Sequence, residues 1–160
     1  MAIRHRIPMI KKNTVSQYTQ LLIDTRHGQQ SMICKIAEDF WSRAQGLLFA
    51  PPLKQTHMDE IMGANNYQGI FLKHCRAVHT MGMRYGIDII YLAVIDEAGD
   101  LANTQFQVCR CVQHLKPWRA SLCRDAQHTL ELAAGEIVRR AIAVGDRVNV
   151  VVGPTANQSV

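Results

Sequence analysis

The chain has 160 residues, 48% of them hydrophobic and 19% charged, with a net charge of +5. That is enough for one domain with its own core. The composition excludes a disordered chain, and the longest apolar run, Ile89–Ile95, falls far short of the roughly 20 residues that a spanning helix needs.

The basicity is local. Arg4, Arg6, Lys11 and Lys12 stand in the first 12 residues without an acid, and the rest of the chain is nearly neutral, so there is no strong nucleic-acid signal. Residues 1–15 show no hydrophobic periodicity and read as a basic arm, 16–153 as a single β-rich domain, and 154–160 as a tail. The N-terminus has no apolar core of the kind an export signal requires, and the five cysteines are odd in number. Both features point to reduced thiols and a cytoplasmic protein.

Tyr18–Ile23 and Ser31–Ala37 alternate apolar and polar residues about Arg26-His27-Gly28, which predicts a β-hairpin. From Glu38 the period changes: Phe40, Trp41, Ala44, Leu47 and Leu48 fall at helical spacing, and Pro51-Pro52 ends the helix. A long surface loop is expected over 51–68. Gly69–Leu72 and Ala77–Met81 read as short strands. Ile87–Ile95 reads as a long strand, apolar on both faces, which should lie centrally and be covered on both sides. Asp96-Glu97-Ala98-Gly99 predicts a hairpin turn into a return strand over Leu101–Val112. Further strands are expected at Ala126–Leu132 and Arg147–Val152, separated by a helical turn at Glu136–Ala141 and a tight turn at Gly145-Asp146. The sum is a mostly β barrel or sandwich of seven or eight strands with one or two short helices.

The candidate chemistry centres on Cys75 to Leu92. His79-Thr80 is a polar pair, and Asp88 is a lone carboxylate entering an apolar segment, where it must be paired, hydrogen-bonded or left at a wet edge. Asp88 either caps backbone N–H groups, pairs with Arg84, Arg43 or Arg119, or faces a cleft. His79 oriented by Asp88 would be a general base, but no nucleophile elbow and no metal-hydrolase motif accompanies it. Cys109 and Cys111, with His114 and Cys123, have the soft-ligand character of a copper(I) or zinc site. Strand alternation would put Cys109 and Cys111 on one face, although zinc sites normally use more widely spaced pairs. Pro117-Trp118-Arg119 presents an indole beside a guanidinium, either as a binding corner or as a closed barrel end. Arg110, Lys116, Arg119 and Arg124 form either a solvated face or an anion-binding rim. Glu131, between two leucines, faces away from both and is a candidate partner for Arg119 or Arg43.

Six segments in order carry a family resemblance: R-A-Q-G-L-L from Arg43, G-I-F-L from Gly69, the Cys75–Leu92 stretch, L-K-P-W-R from Leu115, L-E-L-A-A-G from Leu130 and V-G-D-R-V from Val144. Over Leu21 to Val152 the chain resembles the uncharacterised bacterial and archaeal family called domain of unknown function 192. The resemblance implies a single barrel-like domain with no assigned activity. It also implies relatives that are often exported or lipid-anchored, some encoded beside pilus-assembly or secretion genes, so the cell envelope is the alternative location. Gly86 and Ala133 depart from the family's usual prolines, and in one branch tryptophan stands where this chain has His79, as a cleft wall would allow.

The reading that follows is a binding or assembly accessory module without a cofactor. Its cleft is rimmed by His79, Arg84, Asp88, Trp118 and Arg119, with Arg43 and Glu131 as supporting charges, and its partner is a protein or a small anionic or carbohydrate ligand. The alternatives are a hydrolase or metal-dependent enzyme built on His79 and the thiols, and an interaction domain that docks through its basic arm.

Overall fold

A computed structural model describes residues 18–37, 67–96, 99, 101 and 103–151. The expected arm, the helix over 38–48 with Arg43, most of the loop over 51–68 and the tail lie outside the described residues. Nine strands and one short helix are described. They are β1 (Tyr18–Thr25), β2 (Gly28–Ala37), β3 (Gly69–Leu72), β4 (Ala77–His79), β5 (Ile87–Asp96), β6 (Gln105–Leu115), β7 (Ala120–Leu122), β8 (His128–Ala133), α1 (Glu136–Arg139) and β9 (Arg147–Val151).

Seven strands close into a barrel in the order β1-β2-β3-β8-β5-β6-β9, with β9 returning to β1, while β4 and β7 form a separate two-stranded sheet. The barrel pairs are antiparallel except β2–β3, which is parallel and therefore needs the crossover that residues 38–68 supply. The expected opening hairpin forms as β1–β2. Thr25 pairs with Gly28, whose φ of +106° makes it the left-handed residue that closes a hairpin turn with negative φ at Arg26 and His27. The return strand begins at Gln105 rather than Leu101, although Gly99 does take the expected positive φ of +86°.

β5 explains the architecture. Its first six residues, Ile87 to Leu92, are all buried, and they divide between two cores. Ile90 and Leu92 point into the barrel with Leu21, Met32, Phe71, Phe106 and Leu130. Ile87, Ile89 and Tyr91 point outward into a second cluster with Ile70, Val78, Met83 and Cys123, which the β4–β7 sheet helps to cover. A seven-stranded barrel of this size is filled by its own side chains.

One end of the barrel, where Ile87 pairs with Leu115 and Ala133, is closed by the short segment carrying α1. Ile137 and Ile142 plug the interior there. Asp88 holds this end together. It is fully buried, with 0% exposure, and its Oδ1 accepts the N–H of His114 at 2.8 Å while Oδ2 accepts those of Gly135 at 3.0 Å and Ile137 at 2.9 Å. A second buried anchor is Glu136, which binds Arg139 and Arg140. Arg140 in turn donates to the Ser31 carbonyl of β2 at 3.0 Å. Burial alone would raise the Glu136 pKa, but the hydrogen bonds from the two arginines outweigh it and hold the carboxyl below its usual range.

Asp88→Ala would strip three backbone donors of their acceptor, each worth roughly 1–3 kcal/mol when buried unsatisfied. The expected result is a loss of several kcal/mol, read as a large fall in the denaturant midpoint. Asp88→Asn should fall between alanine and wild type, because one oxygen can still serve the Gly135–Ile137 pair while the amide opposes His114 N–H. An alanine variant as stable as wild type would refute this role.

Candidate functional site

The residues singled out from the sequence do not meet at one point. Asp88 faces the barrel interior and has no open side, so it neither orients His79 nor pairs with Arg84 or Arg119. Arg84 is exposed, and Arg43 lies outside the described residues. His79 lies on the small sheet, and Trp118 and Arg119 stand in the turn that leads into β7, tied by backbone hydrogen bonds to Thr80.

β4 and β7 pair with Ala77 opposite Leu122, Val78 opposite Ser121 and His79 opposite Ala120. Alternation sends Val78 inward to the second core, and Ala77, His79, Ala120 and Leu122 to the outer face. With Val78 and Ser121 they line a shallow groove of about 340 Å³. Leu122 is 50% exposed. Beyond His79 the chain reaches Thr80, a fully buried threonine that organises the corner. Its hydroxyl donates to the Lys116 carbonyl at 2.6 Å and accepts the Arg119 N–H at 3.0 Å. Its backbone N–H reaches the Arg119 carbonyl at 2.8 Å, and its carbonyl receives the Trp118 N–H at 3.0 Å. Trp118 is thereby held at φ +60°, a strained conformation for a bulky residue, with its indole 63% exposed. Arg119 donates from Nη1 to the Trp118 carbonyl at 3.0 Å.

Both edges of the sheet are partly occupied: Arg110 Nη1 donates to the Leu122 carbonyl at 2.7 Å, and Cys75 Sγ to the Ala77 carbonyl at 3.1 Å. What the sheet offers is therefore its face. The segments 76–86 and 116–126 carry Arg76, Arg84, Lys116, Arg119 and Arg124, all exposed, against a single carboxylate, Asp125.

The thiols separate. Alternation placed Cys109 and Cys111 on one face, but β6 carries a bulge there: Tyr91 pairs with Arg110 and Leu92 with Val108, leaving Cys109 as the extra residue. Cys109 packs into the outer cluster and Cys111 against the barrel core, so the two cannot share a metal. Cys109 Sγ lies 3.7 Å from Cys123 Sγ. Burial, with the Cys123 thiol beside it, pushes Cys109 up to about 12, and burial pushes Cys111 up to about 11. At neutral pH both stay protonated, neither nucleophiles nor ready ligands. Among the described residues no cluster of three or more His, Cys, Asp or Glu has metal-binding geometry. His114 is exposed and turns at φ +50°.

Glu131 points outward from β8 as alternation required, between Ile70 of β3 and Ile89 of β5. It is 7% exposed, no cation among the described residues pairs with it, and burial raises its carboxyl to about 7. Arg119 is not its partner.

The sequence reading missed His128, at the end of the barrel opposite α1. It shares its strand face with Leu130 and Leu132, an alternation that would have marked it as inward-facing. Its ring stacks on Phe71 at 5.4 Å, and burial, with His74 and Lys73 adding to it, lowers its pKa to about 4.

A model of the DUF192 family, described as an uncharacterised ACR, matches residues 22–150. The chain belongs to the DUF192 family. Two solved structures share the DUF192 fold seen here. One is a candidate transcription regulator from Sinorhizobium meliloti 1021, 18% identical, with a TM-score of 0.59 over 83% of this chain and 93% of that one. The other is a protein of unknown function from Novosphingobium aromaticivorans DSM 12444, 16% identical, with a TM-score of 0.60 over 90% and 93%. At such identities they show the fold alone. No curated protein matches this DUF192 chain. Among the described residues no helix is long and apolar enough to cross a membrane.

Glu131 and His128 give opposite pH dependences. His128 titrates near 4 when folded against 6.5 ordinarily, so the unfolded chain binds more protons between those values and stability rises with pH there. Glu131 titrates near 7 against 4.5, so the folded chain binds more protons and stability falls as pH rises through that window. Denaturant midpoints of the wild type should therefore change little between pH 4.5 and 6.5. Glu131→Gln should tilt the profile upward with pH and His128→Asn downward, and parallel profiles for the two variants would contradict the assignment.

Proposed function

We propose that this protein is a non-catalytic binding module, and that the outer face of the β4–β7 sheet with the Trp118 corner docks a partner polypeptide bearing acidic and apolar side chains. The observation that carries the reading is the Thr80 clamp. A buried hydroxyl and its backbone hold Trp118 in a strained turn with the side chain exposed, in the corner that leads into β7, whose outer face carries an apolar groove. Exposed aromatic anchors beside guanidinium groups are what interface hot spots are made of.

Charge selects the class of partner. Five cations and one carboxylate in the two covering segments favour an acidic segment. A carbohydrate is less suited, because sugar hydroxyls need acceptors as well as donors and this rim supplies almost only donors. The occupied edge carbonyls favour side-chain recognition on the face over strand addition. Against an enzyme stand the separation of His79 from Asp88 and the protonated thiols. An accessory role in an assembly, as the gene surroundings of relatives imply, is compatible with such a face.

Panning a random peptide library on the immobilised protein tests this. Recovered peptides should combine Asp or Glu with a large apolar residue. Trp118→Ala and Leu122→Glu should each weaken them at least about tenfold while leaving the melting temperature unchanged, since both side chains are exposed. Peptides without acidic enrichment, or binding indifferent to both substitutions, would overturn the reading.

A further inference from the structure

The end of the barrel opposite α1 holds a cavity of about 160 Å³ lined by described residues. Val94, Leu101 and Phe106 supply its apolar wall, and Lys73, His74, Thr104 and His128 its polar groups. Cavities of about 150 Å³ are known to admit a ligand the size of benzene, so the space suits a small molecule rather than a chain of polymer.

His128 decides what kind. Its Nδ1 accepts the backbone N–H of His74 at 3.3 Å. A ring nitrogen that accepts carries no proton, so the neutral imidazole holds its hydrogen on Nε2. The side chain is 6% exposed, is fixed by Phe71 on one face and by the edge-on ring of Phe106 at 5.1 Å, and finds no acceptor for Nε2–H among the described residues. The ring borders the cavity, so this donor can serve an acceptor placed there. A metal ion does not fit that need: it would require a lone pair on Nε2, and metal-bound imidazoles donate from their other nitrogen, whereas this one accepts there. Lys73 lines the same cavity and brings an ammonium to its wall. Donor, ammonium and apolar wall together describe a site for an anion with a short hydrocarbon body.

We infer that the barrel mouth binds a small carboxylate, with an oxygen accepting from His128 Nε2–H and an alkyl or aryl body against Val94, Leu101 and Phe106. This site uses none of the residues of the β4–β7 face and stands or falls independently of the docking reading.

The test is a titration of the full-length protein, following the methyl NMR signals of Val94 and Leu101, with butyrate, benzoate, inorganic phosphate and methylammonium. Butyrate and benzoate should produce saturable shifts at millimolar concentration, phosphate should bind at least about tenfold more weakly for want of an apolar body, and methylammonium should do nothing. His128→Asn keeps an acceptor for the His74 N–H but loses the Nε2 donor, and should weaken benzoate about tenfold or more. His128→Gln, which restores a donor near that position, should recover much of the loss. Failure of both carboxylates to shift the signals, equal binding of phosphate, or benzoate binding unchanged in His128→Asn would each overturn the inference. If the asparagine variant does not fold, the discrimination of carboxylate from methylammonium by the wild type decides it.

Discussion

Three backbone N–H groups converge on the Asp88 carboxylate, and the closed end of the barrel depends on them. Each comes from a place where regular pairing stops. His114 sits near the end of β6, Gly135 where β8 turns away, and Ile137 in the first turn of α1, whose early N–H groups have no partner within the helix. A single side chain on β5 thus satisfies donors that the strand ladders cannot reach. It also fixes the angle at which Ile137 enters the barrel. Of the roles expected for it, capping, an arginine partner or a cleft wall, the carboxylate takes the first and is an internal substitute for solvent.

That role bears on function through what it removes. With Asp88 enclosed, His79 stands on an outer sheet with no carboxylate among the described residues to orient it, and Cys109, Cys111 and Cys123 divide between clusters where burial keeps at least the first two thiols neutral. Two places among the described residues remain as candidate sites. One is the rim of the β4–β7 face. The other is the barrel mouth, where His128 turns a donor toward a cavity. The two differ in scale: an extended apolar surface in one case, a pocket for a few atoms in the other.

Much of the barrel could be read from periodicity. β5 announced its central place because Ile87 to Leu92 offers apolar residues to both faces, and the first hairpin followed from alternation around Arg26-His27-Gly28. The errors have physical causes. The shared face expected for Cys109 and Cys111 failed at a bulge, and one extra residue reverses every side chain beyond it. β7 went unseen because three residues are too few for a period to show, and its pairing with β4 is decided by contacts at a distance in sequence. Thr80 gave no local sign of its importance, since its hydroxyl serves carbonyl and amide groups some forty residues later. His128 was legible from its alternation with Leu130 and Leu132, but a histidine on an apolar face was passed over.

The seam between β1 and β9 has a consequence for how the protein is made. Gln20 pairs with Val151 and Asp24 with Arg147, so the first and last described strands are neighbours. A ribosome must extrude nearly the whole domain before that seam can form. Until then the nascent chain carries β1 with one edge unpaired and β6 waiting for the strand that lies beside it. Folding is therefore completed after synthesis of the domain rather than during it, and closure joins residues far apart in sequence, a topology that folds slowly among small proteins. The vulnerable interval is the one before β9 arrives, when an open sheet edge is available to any other unfinished chain nearby.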